Sequence, residues 1–130
     1  VGWGDYEEID VLPDPTLAPA SAAPNFGWPC YEGNGRQGGY DGANIALCET
    51  LYAAGAGAHR VPFYAYRHAQ APGCGGVGSA ISGLAFYTGA SYPAEWRDAL
   101  FFADYNRDQV FAFKDGDADG LGVRRVPGRP

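Results

Sequence analysis

The stretch Asn25-Phe26-Gly27-Trp28-Pro29-Cys30-Tyr31-Glu32-Gly33 constrains this chain more than any other. Gly27 and Gly33 open backbone angles closed to other residues. Pro29 fixes its own φ and pushes Trp28 towards an extended conformation. Trp28 and Tyr31 each carry a large apolar surface with one polar handle. Neither a helix nor a regular strand accommodates such a run. It reads as a rigid aromatic loop, a well-packed corner that Cys30 can tie to another part of the chain.

Composition limits what surrounds that corner. At 130 residues there is room for one domain or for part of a larger one. Gly (20) and Pro (10) are abundant, but 15% aromatic content argues against disorder and for many turns between short strands. The chain has no Met and opens on Val1, which reads as a processed product or a piece of a longer chain. A net charge of −6, a pI near 4.6 and a single lysine, Lys114, argue against a phosphate-binding surface and with it a nucleic-acid partner. No apolar run approaches the roughly 20 residues that span a bilayer, so no membrane insertion is expected.

The cysteines are Cys30, Cys48 and Cys74. They form no C-x-x-C, and His59 and His68 stand apart from them, so zinc spacing is absent. The favoured pairing is Cys30–Cys48, closing a Gly/Asn-rich loop, with Cys74 free or paired outside the chain; the alternative is three buried, reduced thiols. A disulfide implies an exported protein, secreted, periplasmic or extracellular.

In chain order, Tyr6–Leu12 alternates and reads as a strand, followed by an Ala/Pro-rich connector over 16–24. The Gly-rich segment 34–44 reads as a loop and Ile45–Tyr52 as a short helix. Val61–His68 reads as a strand, with Pro62 marking an edge or a start. Ser79–Thr88 is a strand in which Gly83 marks close approach of another backbone. Ser91–Arg97 is a helical turn that Ser91 can cap. Ala99–Tyr105 is a continuous apolar strand, buried on both faces, and Gln109–Lys114 is the next. Leu121–Val126 begins one more. Strands at this spacing, joined by Gly-rich turns, give an all-β sandwich, barrel or propeller, and those over 61–114 make one four-stranded antiparallel blade.

Few residues point to chemistry. Asp115, Asp117 and Asp119, with Gly120, open a D-x-D-x-D-G pattern whose carboxylates can converge on calcium; Val126 at the twelfth position rejects an EF-hand, leaving a calcium-binding turn or an acidic solvated one. On a strand, Glu8 and Asp10 share a face opposite Glu7, and bonding of Glu8 or Asp10 to loop backbone is the expected role. His68 is expected to make structural hydrogen bonds. Ser79 and Ser82 lack a nucleophile elbow, and 73–78 lacks a phosphate-loop Lys.

Four strings nevertheless resemble the glucose/sorbosone dehydrogenase family of six-bladed β-propellers. They are Glu7-Glu8-Ile9-Asp10, Asn25-Phe26-Gly27-Trp28-Pro29, Gly83-Leu84-Ala85-Phe86-Tyr87-Thr88-Gly89 and Ala99 through Tyr105, in the family's order. The appended Cys30-Tyr31-Glu32-Gly33, with Cys48 beyond, is most similar to the secreted bacterial branch. The resemblance implies about two blades. Residues 1–60 would end one blade and carry a long disulfide-containing loop, 61–114 would form a blade, and 115–130 would turn into the next. It implies a sugar or other carbohydrate partner, the remainder of the parent propeller as a second partner, and oxidation of the sugar by hydride transfer to pyrroloquinoline quinone (PQQ) on calcium. The family's calcium-binding backbone carbonyls fall at Gly2 and Trp3. A cofactor-contacting Lys falls at about Asn106, which cannot supply the charge. The general base lies in an earlier blade, so no catalytic residue is expected in this chain, and the isolated segment is expected to be inactive. The alternative is a non-catalytic extracellular carbohydrate- or protein-binding propeller segment. Trp3, Trp28, Trp96 and the tyrosines could stack on sugar rings, although aromatics in a propeller more often pack the core.

Overall fold

A computed structural model describes residues 2–12, 16, 24–69, 78–113 and 123–126. The chain divides into two compact units, Gly2–Ala65 and Tyr66–Pro130. The described residues are mostly short strands in small antiparallel sheets with few helices, in line with the all-β expectation.

In the Gly2–Ala65 unit, β1 (Tyr6–Ile9) alternates as its sequence suggests, burying Glu7 and Ile9, and ends three residues before Leu12. It forms a two-stranded sheet with β4 (Tyr64–Arg67). A tight hairpin joins β2 (Tyr31–Glu32) to β3 (Gly35–Arg36), with Tyr31 opposite Arg36 and Glu32 opposite Gly35. Gly33 takes the first central position at φ +60°, where a type II′ turn wants glycine. A side chain there would also strike the Tyr6 ring.

The segment expected as loop over 34–44 instead contains β3 and a one-turn helix, α1 (Gly38–Gly42). Its glycines are poor helix formers. They are held by the Gln37 side chain, which accepts from the Tyr40 N–H at 3.0 Å, and by the exposed Arg36–Asp41 pair at 3.1 Å. The short helix expected from Ile45 is present as α2 (Ala46–Ala54), ended by Gly55 at φ +76°. Cys48 and Tyr52, one turn apart, share its buried face. Cys48 is bonded to Cys30, so the favoured pairing stands. The Tyr52 hydroxyl donates to the Cys30 carbonyl at 2.8 Å, and Tyr31, Tyr40, Ile45 and Leu51 pack around this small core.

In the Tyr66–Pro130 unit, β5 (Ile81–Phe86), β6 (Leu100–Asp104), β7 (Gln109–Phe113) and β8 (Val123–Arg125) form a four-stranded antiparallel sheet in sequence order. Four strands were expected over 61–114. The sheet instead spans 81–125, because β4 is taken by β1 and β8 fills the fourth place. Alternation identifies a strand but not its partner. Phe102 and Phe111 face each other in the ladder, fully buried, with rings 5.2 Å apart. β6 is not buried on both faces: Phe102 and Asp104 are buried, whereas Leu100, Phe101 and Ala103 are half-covered. Gly83 has nothing within 4 Å of its missing side chain; the irregularity in β5 is a register shift between Ile81 and Gly83. The turn expected over 91–97 is a single 3-10 turn, Ala94–Trp96, entered from Pro93 with no side-chain cap.

One buried carboxylate organises this second unit. Asp104 Oδ1 accepts the Ala80 N–H at 3.0 Å, and Oδ2 accepts the Tyr66 hydroxyl at 2.8 Å. Arg107 lies 3.4 Å from the same carboxylate, donates to Ser79 Oγ at 3.0 Å and reaches the His68 carbonyl. His68 therefore takes part in structural hydrogen bonding through its backbone.

Candidate functional site

Three aromatic side chains from separate segments of the Gly2–Ala65 unit come together. Trp3 and Trp28 lie edge-to-face at 6.2 Å, as do Trp28 and Tyr40 at 6.0 Å, while Trp3 and Tyr40 meet at a tilt at 5.5 Å. Packed apolar rings are normally buried, yet Trp3 is 61% and Trp28 51% exposed.

Each ring is placed by a different device. Trp28 follows Gly27, which sits at φ +98° with its N–H on Asn25 Oδ1 at 2.8 Å. The Trp28–Pro29 peptide bond is cis, and the N–H groups of Cys30 and Tyr31 both return to the Gly27 carbonyl. A side chain at Gly27 would press on Tyr31 and His59. Tyr40 is carried by α1 and its Gln37 cap.

Trp3 is placed by Glu32. The backbone N–H groups of Trp3, Gly4, Asp5 and Tyr6 all donate to Glu32 Oε1, at 2.8, 2.9, 2.9 and 3.0 Å. Successive amides converging on one oxygen make an anion nest, and here the chain supplies its own anion. Burial alone would discourage ionisation of Glu32, but the four donors outweigh it and hold the carboxyl below its usual range. The other oxygen, Oε2, is buried and has no hydrogen-bond partner. A side chain at Gly2 would run into the Tyr6 carbonyl, so the nest also requires that glycine.

Glu8 acts from β1 on the same hairpin, accepting the Gly33 N–H at 2.9 Å, as expected of the acidic patch. Its carboxyl is pushed up, chiefly by burial and further by the charges of Asp10 and Glu32, with the Gly33 N–H opposing. Asp10 is raised by burial. His59 stacks on Tyr31 at 3.8 Å, with its Nδ1 buried and unpartnered.

The residues expected to serve a cofactor fall in different parts of the chain. Gly2 and Trp3 sit at the nest, which directs N–H groups inwards at a carboxylate. Calcium takes six to eight oxygen ligands, and among the described residues no three His, Cys, Asp or Glu side chains converge on a metal position. Asn106 is exposed in a 3-10 turn (Tyr105–Arg107) after β6, in the other unit. Cys74, Asp115, Asp117 and Asp119 lie outside the described residues. No helix among the described residues is long and apolar enough to cross a membrane.

Sequence reasoning named Trp3 and Trp28 but not Tyr40 as their neighbour, nor Glu32 as the carboxylate that places Trp3. The one signal for Glu32 was an acidic residue inside the most constrained loop of the chain. Compared with known proteins, the chain matches no family model, no curated protein and no solved structure.

Proposed function

We propose that the chain is a segment of an extracellular β-propeller of the glucose/sorbosone dehydrogenase type, and that its own contribution is carbohydrate binding on the Trp3–Trp28–Tyr40 surface. The observation that carries this reading is the pair of exposed indoles held in place by buried constraints. A sugar ring presents a face of C–H bonds whose partial positive charge suits the negative face of an indole, while its rim hydroxyls stay in water. A surface set before the ligand arrives loses less entropy on binding.

In this reading the β5–β8 sheet is one blade. Oxidation of the sugar, with hydride transfer to PQQ held on calcium, belongs to the parent protein, whose general base and most cofactor contacts lie outside this chain. The four strings quoted above support that assignment, and the Cys30–Cys48 bond supports an exported location.

Titration of the chain with glucose and short oligosaccharides, followed by tryptophan fluorescence, tests the binding. A saturable change in the unmodified chain that is lost in Trp28→Ala and weakened in Trp3→Ala, with far-UV circular dichroism unaltered, is expected. No saturable change in the unmodified chain overturns the proposal. The dehydrogenase assignment has its own test: the full-length parent reconstituted with PQQ and calcium should reduce a dye in the presence of an aldose, and inactivity refutes that part.

A further inference from the structure

Trp28 belongs to two surfaces. It packs with Trp3 and Tyr40, and it also lines an open groove of about 550 Å³ against helix α2. That volume falls within the roughly 300–1,000 Å³ typical of small-molecule sites. Leu47, Leu51, Ala54 and Ala58 supply much of the wall, and the groove-lining residues carry no charged group. Two of the wall's polar groups are already engaged: the Thr50 hydroxyl donates to the Ala46 carbonyl at 2.7 Å, and Asn25 Oδ1 holds the Gly27 N–H. Leu47 is 65% exposed, a large apolar side chain left in water at the groove.

A free sugar does not suit this wall. Its hydroxyls would leave water and find few partners, at a cost for each one buried. An alkyl or aryl group gains from the same wall by shedding water. The absence of charge disfavours sugar acids, sugar phosphates and amines. We propose that the groove between Trp28 and α2 receives the apolar aglycone of a neutral glycoside whose sugar ring lies on the adjoining aromatic surface. The inference rests on the carbohydrate reading above and names its ligand class.

The experiment compares methyl β-glucoside, n-butyl β-glucoside and 1-butanol on the whole chain, by calorimetry and by NMR of the leucine methyls. Each methylene taken out of water is worth about fourfold in affinity. The butyl glucoside should therefore bind at least tenfold tighter than the methyl glucoside, with Leu47 and Leu51 methyl signals moving only for the butyl ligand. Leu47→Asp, an exposed position that leaves the fold intact, should remove that advantage and spare methyl glucoside binding. Equal binding of the two glucosides overturns the inference while the carbohydrate reading stands. If neither glucoside binds, the carbohydrate reading falls and takes the inference with it. Butanol binding as tightly as the butyl glucoside makes the groove a plain apolar site and also overturns it. So does a concentration-dependent dimer in sedimentation that Leu47→Asp abolishes, since a second copy would then fill the groove.

Discussion

Replacing Glu32 tests whether an internal anion sets the aromatic surface. Hydrogen bonds to a charged acceptor each contribute roughly 1.5–3 kcal/mol, but the four donors share one oxygen and cannot add fully. Trp3, Gly4 and Asp5 are exposed residues, so their amides can recover water once the carboxylate is gone. Tyr6 is half-buried and recovers less. Glu32→Ala should therefore cost about 3–4 kcal/mol, close to one modest bond per donor. Glu32→Gln keeps a carbonyl acceptor without the charge that doubles such bonds, and should cost about 2 kcal/mol.

The two variants also separate charge from shape through pH. Four backbone N–H donors outweigh burial and hold the Glu32 carboxyl below the usual glutamate range in the folded chain. A depressed carboxyl contributes stability that is fully present above the unfolded value and is lost as pH falls through the folded one. The gap between the unmodified chain and Glu32→Gln should be full at pH 7, begin to close near the unfolded glutamate value of about 4.3, and shrink further under acid. Glu8 and Asp10 are shifted upwards, so they act with the opposite sign: their ionisation costs stability as pH rises through the interval between unfolded and folded values. Both groups are present in both proteins, so Asp10 cancels in the difference, and Glu8 leaves only the small offset that comes from losing the Glu32 charge beside it. Urea denaturation at several pH values, read by tryptophan fluorescence and circular dichroism, measures the gap. A Glu32→Gln cost within about 0.5 kcal/mol, the range of ordinary surface changes, or a gap independent of pH, refutes the reasoning.

Three further outcomes follow from other contacts. Cys30→Ser, or reduction of the unmodified chain, should destabilise the Gly2–Ala65 unit by about 3 kcal/mol, as expected for a closed loop of this size; equal denaturation midpoints with and without reductant would contradict this. Asp104→Asn leaves the nearly buried Arg107 without its carboxylate and should cost roughly 3–5 kcal/mol, seen as faster amide exchange in β5 and β6; unchanged exchange would show that the carboxylate is not the organising group. Gly33→Ala forces a side chain against the Tyr6 ring at φ +60° and should cost about 1–3 kcal/mol, whereas Gly35→Ala, where a Cβ has open space, should cost far less; equal effects in urea melts would rule the clash out.

What the sequence disclosed was mostly local. The helix at α2 and the strands β5 to β7 follow from short-range pattern. The disulfide was one of two readings, and the bonding of Glu8 to loop backbone was expected from which face of a strand it occupies. Partner choice was not legible. Val61–His68 has a convincing strand pattern, yet the strand within it pairs with β1 and not with the strands that follow. The role of Glu32 was hidden for the same reason. Its donors lie 26 to 29 residues away in sequence, and a carboxylate that accepts backbone N–H groups leaves no spacing signature. α1 was hidden by its glycines, because the cap and ion pair that hold it come from the residues around them.

These long-range contacts bear directly on the aromatic surface. Trp3, Trp28 and Tyr40 come from three segments, and each is fixed by a constraint that does not depend on the other two: the Glu32 nest, the Gly27 loop and the Gln37 cap. A surface held only by ring-on-ring packing would lose all its order when one ring is removed. Here Trp3→Ala should leave Trp28 and Tyr40 in register, weakening carbohydrate binding without abolishing the surface. Glu32→Gln should do the reverse, keeping all three rings but loosening the placement of Trp3. Ligand affinity should then fall in both variants, but only Glu32→Gln should make that fall depend on which side of the Glu32 titration the measurement is made when compared with the unmodified chain. An affinity loss of the same size on both sides of the Glu32 titration in Glu32→Gln would show that the indole is placed by its neighbouring rings and not by the buried charge.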